Sequence, residues 1–282
     1  MSIRLNLTEN KKINAGITVF PGSNCDMDVY YALKNVFNLN VSFLWHKDEF
    51  HNFKNYDFIV IPGGFSYGDY LRAGALAARS RVMKSIKEYA DGGGIVLGIC
   101  NGFQILLESG LLKGAMLTNK SLKFECRDVY IKNISGNNFN KNNNGSNNNG
   151  NNNKSDSNNS NGNNNRSGNN NSSENPFTCL IEKDAVLKLP IAHHDGNYFA
   201  ENNELEDLLS SGHVAFQYCN EDGVVADDSN PNGSLKNIGG LFGENFNVMG
   251  LMPHPERASE KILGSDDGAK IFNSIIYYIK NK

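Results

Sequence analysis

Gly94-Ile95-Val96-Leu97-Gly98-Ile99-Cys100-Asn101-Gly102-Phe103-Gln104-Ile105-Leu106-Leu107-Glu108 holds the pattern from which the fold is read. Ile95 to Ile99 is a short apolar run, as in a strand buried on both faces, and Phe103 to Glu108 reads as a helix. Cys100 stands between them in a Gly-x-Cys-x-Gly sequence, the pattern of a nucleophile elbow at a strand-to-helix turn. The glycines let the backbone turn sharply and keep side chains off the neighbouring strands. A thiol at that turn lies at a helix N-terminus, where free N–H groups and the helix dipole favour a thiolate and an adjacent oxyanion. Two readings of Cys100 are open here: a nucleophile, or a small residue packed into a tight turn.

Upstream, strand-like and helix-like pieces alternate. Ile17 to Phe20 is a strand candidate, Pro21-Gly22-Ser23-Asn24 is turn chemistry, and Val29, Leu33, Val36 and Phe37 share one helical face. Val41 to Trp45 and Phe58 to Ile61 read as buried strands. A glycine-rich loop, Gly63-Gly64-Phe65-Ser66-Tyr67-Gly68-Asp69-Tyr70, precedes a helix over Ala73 to Ala90. This alternation predicts an α/β fold with a doubly wound parallel sheet, in which sites form beyond the carboxyl ends of the strands. The Gly63-Gly64 loop and Cys100 both fall at that edge. Downstream, Leu122 to Ile131, Ala185 to Ile191, His213 to Cys219 and Val248 to Met252 read as strands of more antiparallel character. A last helix buries Phe272, Ile275, Ile276 and Ile279.

Composition bounds the rest. Only 39% of the 282 residues are hydrophobic, but the deficit is local: 22 of the 39 residues in 137–175 are Asn. Such a stretch buries too little apolar surface to offset its ordering entropy, which predicts a disordered surface insertion between two strands. The 243 residues left fit one α/β domain over 15–282, after a polar extension over 1–14. A net charge of −3 gives no case for nucleic acid or an anionic membrane surface. No run of 18 apolar residues suggests a membrane span, and the N-terminus lacks the apolar core of a signal peptide. The five cysteines are odd in number, with no C-x-x-C pair. That argues against a disulfide framework or a structural metal site and for a reducing, cytoplasmic setting. No phosphate-binding glycine motif is present, so no nucleotide site is expected on this chain.

A nucleophilic cysteine needs a base, and the base an orienting partner. Met252-Pro253-His254-Pro255-Glu256-Arg257 offers both. Pro255 pushes His254 toward extended geometry, where residues i and i+2 face the same way, so Glu256 can hold the imidazole. A proline-rich surface turn is the alternative. His193, in Ile191-Ala192-His193-His194-Asp195-Gly196, could contact substrate or lie in a solvated loop. His46 and His51 read as structural or exposed, and Cys25, Cys126, Cys179 and Cys219 as small buried residues.

Taken together, Gly98 to Gln104 and His254-Pro255-Glu256 resemble the class I (triad) glutamine amidotransferases. Phe20-Pro21-Gly22-Ser23-Asn24-Cys25-Asp26, Gly63 to Gly74, Asn119 to Phe124, Asn230-Pro231-Asn232-Gly233-Ser234 and Met252 to Ala258 are similar to the glutaminase subunits of phosphoribosylformylglycinamidine synthase. The resemblance implies a flavodoxin-like mixed sheet with helices on both faces. It implies Cys100 as nucleophile, His254 as acid and base, and Glu256 as its orienter. Backbone N–H groups of Gly64 and Asn101 would form the oxyanion hole, with Gln104 and His193 near the glutamine. It also implies a large synthase subunit as partner, with a small accessory subunit in some organisms. ATP and magnesium would sit on the synthase, and no cofactor on this chain. The insertion departs from the family pattern. So does His194-Asp195, which stands where the family usually shows Gly-Glu.

Overall fold

A computed structural model describes residues 12–52, 55–135 and 175–282. The extension over 1–14 and the insertion over 137–175 therefore lie almost wholly outside the described residues. Residues 12–14 and Asn175 are the exceptions. Ile13 is buried and Asn14 opens the first strand, so the folded body begins before residue 15. Asn175 is buried, and its side-chain oxygen accepts from the backbone N–H groups of Phe177 and Thr178, both at 2.9 Å. Asn175 thus belongs to the folded body and not to the insertion.

Among the described residues, eleven strands and five α-helices follow in the order β1 (Asn14–Val19), α1 (Asp26–Tyr31), β2 (Asn40–Trp45), β3 (Phe58–Ile61), α2 (Arg81–Asp91), β4 (Ile95–Ile99), α3 (Asn101–Glu108), β5 (Ala115–Leu117), β6 (Glu125–Asn133), β7 (Val186–His193), β8 (Asn197–Phe199), α4 (Asn202–Ser210), β9 (Val214–Cys219), β10 (Ile238–Phe242), β11 (Val248–Leu251) and α5 (Ala269–Asn281). Nine of them form one mixed sheet, β2-β1-β3-β4-β11-β10-β9-β6-β7, and β5 pairs with β8 in a small antiparallel ribbon. The first five strands in that order are parallel, and the pairs from β11 to β7 are antiparallel.

The chain leaves β1 toward β2 in one direction and β3 toward β4 in the other. Right-handed crossovers then put α1 and α2 on opposite faces, as in a flavodoxin-like sheet. The carboxyl ends of β1, β3, β4 and β11 share one edge. Alternation through the antiparallel half brings the end of β7, and with it His193, to the same edge.

The central strands β3, β4, β10 and β11 are buried at every residue, which is why their sequences run apolar without alternation. Two expectations need correction. β2 is the outermost strand, so only Leu44 is buried and Phe43 and Trp45 are 45% exposed. The helix expected over 73–90 begins only at Arg81. Gly74 takes a φ of 81°, and Ser80 caps the helix by accepting from the Met83 N–H.

Candidate active site

Cys100 leaves β4 with φ 51° and ψ −105°, in the region that glycine normally occupies, and its N–H donates to the Leu251 carbonyl at 2.8 Å. Such backbone strain in a residue other than glycine persists only where the surroundings over-determine it. Here they do. A Cβ at Gly98 would lie 2.7 Å from the Gly102 carbonyl oxygen, and one at Gly102 only 1.9 Å from that of Ile61. The two glycines let α3 start close against β3 and β4, and the elbow follows. The thiol is 5% exposed, and its Sγ lies 3.7 Å from the Ala192 carbonyl oxygen at the end of β7.

His254 and Glu256 follow β11 and are 1% and 2% exposed. Imidazole Nδ1 donates to Glu256 Oε1 at 2.6 Å, and the buried Nε2 has no hydrogen-bond partner. His254 is extended as expected, but Glu256 reaches it differently. Pro255 opens a 3₁₀ turn over Pro255–Ala258, and that turn, not a continued strand, brings the carboxylate back beside the ring. Gly63 makes the meeting possible: a Cβ there would lie 2.8 Å from His254 Cε1 and 3.4 Å from Cys100 Cβ. Burial alone would lower the His254 pKa. The charges of Glu256 and Cys100 override it and hold the ring's pKa above its ordinary value.

Asn101 opens α3, so its backbone N–H has no acceptor within the helix. Gly64, with φ 133°, packs against Asn24 beside that opening. The Asn101 side chain accepts from the Ser66 N–H at 3.2 Å and donates to Gln104 Oε1 at 2.7 Å. Gln104 in turn donates to the Asp195 carbonyl at 2.6 Å. Both ends of the Gln104 amide are thus spent inside the protein, tying α3 to the loop over 194–196 and leaving its substrate role indirect.

His193 is 3% exposed. Its Nδ1 donates to Asn119 Oδ1 at 3.0 Å, an oxygen that also accepts from the Gly196 N–H, so Nε2 keeps a lone pair and is buried without a partner. Burial, helped by the charge of His254, pushes its pKa down to about 4. A Cβ at Gly196 would lie 2.3 Å from the His193 ring, which is why glycine stands there. The Asn230 to Ser234 motif shapes the same loop from behind: Ser234 Oγ donates to the Gly196 carbonyl at 3.0 Å.

Three residues that the sequence did not place in the site also belong here. Cys25, at the end of the turn after β1, is buried beside the pair, with Arg257 Nη2 donating to its Sγ at 3.0 Å. Burial, helped by the charge of Glu256, pushes the thiol up to about 12. Arg257 also binds Asp28 through Nε and Nη2, both at 3.0 Å. Ligand atoms of Cys25, His254 and Glu256 lie within 4.8 Å of one another, but His254 and Glu256 already bond each other and Arg257 occupies Cys25. The cluster is therefore built for proton transfer more than for a metal ion. Asp69, the third residue, is half-buried and accepts from Asn101 Nδ2 at 3.4 Å. The signal for all three was their place in motifs at strand ends. Cys126, expected buried, is exposed on β6.

A buried thiol on a strained elbow, with a carboxylate-held imidazole beside it, can perform acyl transfer from an amide. Comparison with known proteins agrees. The family model of the CobB/CobQ-like glutamine amidotransferase domain matches residues 12–271. The phosphoribosylformylglycinamidine synthase subunit PurQ of Pseudothermotoga lettingae is 44% identical over 271 residues, 96% of this chain and 97% of that protein. The subunit of the same name from Koribacter versatilis is 43% identical over 261 residues, 93% and 96% of the two chains. A chain in the structure of PurLQS from Thermotoga maritima is 38% identical, with a TM-score of 0.71 over 95% of this chain and 99% of its own. Among the described residues no helix is long and apolar enough to cross a membrane.

Proposed function

The chain belongs to the CobB/CobQ-like glutamine amidotransferase family, with PurQ subunits as its relatives, and from that membership we infer that it is the glutaminase subunit of phosphoribosylformylglycinamidine synthase. It hydrolyses glutamine to glutamate and ammonia. The ammonia passes to a large synthase subunit, assembled with a small accessory subunit, for ATP-dependent conversion of formylglycinamide ribonucleotide to the amidine in purine biosynthesis. ATP and magnesium belong to the synthase, glutamine alone to this chain, and the complex to the cytoplasm.

The observation that carries the reading is Cys100 on its elbow beside the hydrogen-bonded His254–Glu256 pair. In this reading the Cys100 thiolate attacks the side-chain carbonyl carbon of glutamine. The oxyanion is received by the N–H groups of Gly64 and Asn101, each such donor lowering the barrier by about 3 kcal/mol. His254 gives its proton to the departing nitrogen, ammonia leaves, and a glutamyl thioester remains. Water then loses a proton to His254 and attacks the thioester, releasing glutamate and restoring the thiolate. Glu256 holds the ring throughout, and His193 lies at the substrate's side of the pocket.

Cys100→Ala tests this in the reconstituted complex. Glutamine-dependent synthesis is expected to vanish while synthesis from added ammonium salt continues. Glutamine-dependent activity that survives the substitution would remove Cys100 from the reaction.

A further inference from the structure

Glu256 carries a charge that its own hydrogen bonds do not fully satisfy. Its side chain is buried, Oε1 receives the His254 Nδ1–H, and Oε2 has no hydrogen-bond partner. A buried carboxylate of this kind persists only beside a cation. The imidazolium is one, but the reaction removes it. Once His254 has given its proton to the departing nitrogen, the ring is neutral. Among the described residues, the other cation ion-paired with Glu256 is Arg257, whose Nε lies 4.0 Å from Oε1, the oxygen that also holds the ring.

Contacts from other elements fix the guanidinium there. Nε and Nη2 donate to Asp28 Oδ2 on α1, both at 3.0 Å, and Nη2 also donates to Cys25 Sγ at 3.0 Å. The backbone of the turn is fixed as well: a Cβ at Gly268 would lie 2.1 Å from the Pro255 carbonyl oxygen, so the turn packs directly on that glycine. The two partners of Arg257 differ in charge. Cys25 is pushed up to about 12 and stays a thiol, so it orients the guanidinium without offsetting it. Asp28 does carry a balancing charge, but its side chain is 44% exposed and screened by solvent. The charge felt at buried Glu256 is therefore the guanidinium's more than the aspartate's.

We propose that Arg257 is a positioning residue of the triad: clamped by Asp28 and Cys25, it keeps Glu256 a carboxylate through both halves of the cycle and limits how tightly Glu256 retains the His254 proton. The inference rests on the glutaminase reading above. The limit matters because His254 works in both directions, as acid toward the leaving nitrogen and then as base toward water. A ring held too firmly in its charged form releases its proton slowly in the first step. In the second it is reprotonated by solvent before water attacks. A guanidinium beside the carboxylate opposes that excess.

The test follows His254 by ring NMR in Arg257→Gln and Arg257→Lys, and measures glutamine-dependent turnover of each in the complex with the synthase subunit. Arg257→Gln removes the charge. A proton added nearby then meets one cation fewer, so the His254 titration moves to higher pH, opposite to the direction that loss of the Glu256 charge itself gives. At pH 7 kcat falls about 10-fold without a rise in KM, and the deficit narrows toward alkaline pH, where the ring deprotonates in both proteins. Arg257→Lys keeps a charge beside the carboxylate, so His254 titrates close to its unsubstituted position and most of kcat returns. The titratable groups around the ring are Glu256 and Arg257 on its own turn, Cys100 at the elbow, Cys25 after β1 and His193 at the end of β7, with Asp28 behind Arg257. His193, near 4, and Cys25, near 12, hold one charge state while His254 is followed.

A His254 titration that stays in place in Arg257→Gln would overturn the proposal, because the guanidinium would then not be felt at the ring. So would a titration that moves to lower pH, which would mean that Glu256 has left its position and that Arg257 supports the turn and nothing more. Should Arg257→Gln fail to fold, Arg257→Lys decides alone. A kcat loss of about 10-fold or more in that variant, with the His254 titration unmoved, would overturn the role of the charge. Failure of the unsubstituted complex to hydrolyse glutamine at all would instead sink the glutaminase reading, and the His254 titration, which needs no substrate, would still judge Arg257.

Discussion

His193 and His254 are both buried, yet they are driven in opposite directions. Burial takes His193 down to about 4, so it is neutral at pH 7. The same burial acts on His254, but the charges of Glu256 and Cys100 outweigh it and the ring keeps its proton. Glu256→Gln preserves a hydrogen-bond acceptor and removes the charge. The imidazolium is then less stabilised, so His254 loses its proton at a lower pH than in the unsubstituted protein. Ring NMR titration should show that downward shift, and glutamine-dependent turnover should fall about 10²- to 10⁴-fold. A His254 titration that does not move would take Glu256 out of the proton's control.

Cys25 offers a second residue-scale prediction. Its thiol is pushed up to about 12, so it stays protonated at pH 8 and reacts poorly. Alkylation of the native protein at pH 8, read by peptide mass mapping, should label exposed Cys126 and leave Cys25 until the chain unfolds. Labelling of Cys25 as fast as Cys126 would contradict its placement. The contrast also marks what the sequence could say. Cys100 and His254 were legible because local chemistry, flanking glycines in one case and flanking prolines in the other, constrains them. Cys25 and Asp69 were not, because what perturbs them is burial made by the fold and, after it, charges far along the chain, Glu256 and Arg257 for Cys25 and Asp195 for Asp69.

At the scale of elements, the decisive contact is between the start of α3 and the end of β3. Gly102→Ala drives a Cβ into the Ile61 carbonyl, which is backbone and cannot rotate away. Overpacking of this kind costs about 1–3 kcal/mol. The urea midpoint should fall at unchanged m-value, and glutaminase activity should fall with it as the elbow shifts. Gly92→Ala is the control: φ there is −77°, and a Cβ would make only ordinary contact at 3.4 Å, so the midpoint should hardly move. The elements themselves were readable from apolar runs and turn residues. Their extent was not. The helix expected from Ala73 starts at Arg81, because the segment before it turns at Gly74 and is extended at Ser80. β2 looked like its buried neighbours in sequence, since an edge position is set by sheet order and not by composition.

At the scale of the whole molecule, the chain leaves the sheet after β6 and returns before β7 at nearly one point. Ser135 and Thr178 join side chains at 2.9 Å, and Asn133 Nδ2 donates to the Ile181 carbonyl at 3.0 Å. Composition expects residues 137–175 to add nothing to the core, but it could not see that the last of them caps the returning chain. Two deletions separate these statements. Replacing 137–174 by a short Gly-Ser linker should keep the fold, the complex and glutamine-dependent synthesis, and shortening the loop about eightfold can add up to about 2 kcal/mol of stability. Removing 137–175 also takes away the side chain that receives the Phe177 and Thr178 N–H groups. That variant should be about 0.5–2 kcal/mol less stable than the first, the range for a lost cap. Urea midpoints of the two variants decide the matter: equal values would show that Asn175 contributes nothing. A first variant that folds but no longer binds the synthase subunit would assign the Asn-rich segment to the complex.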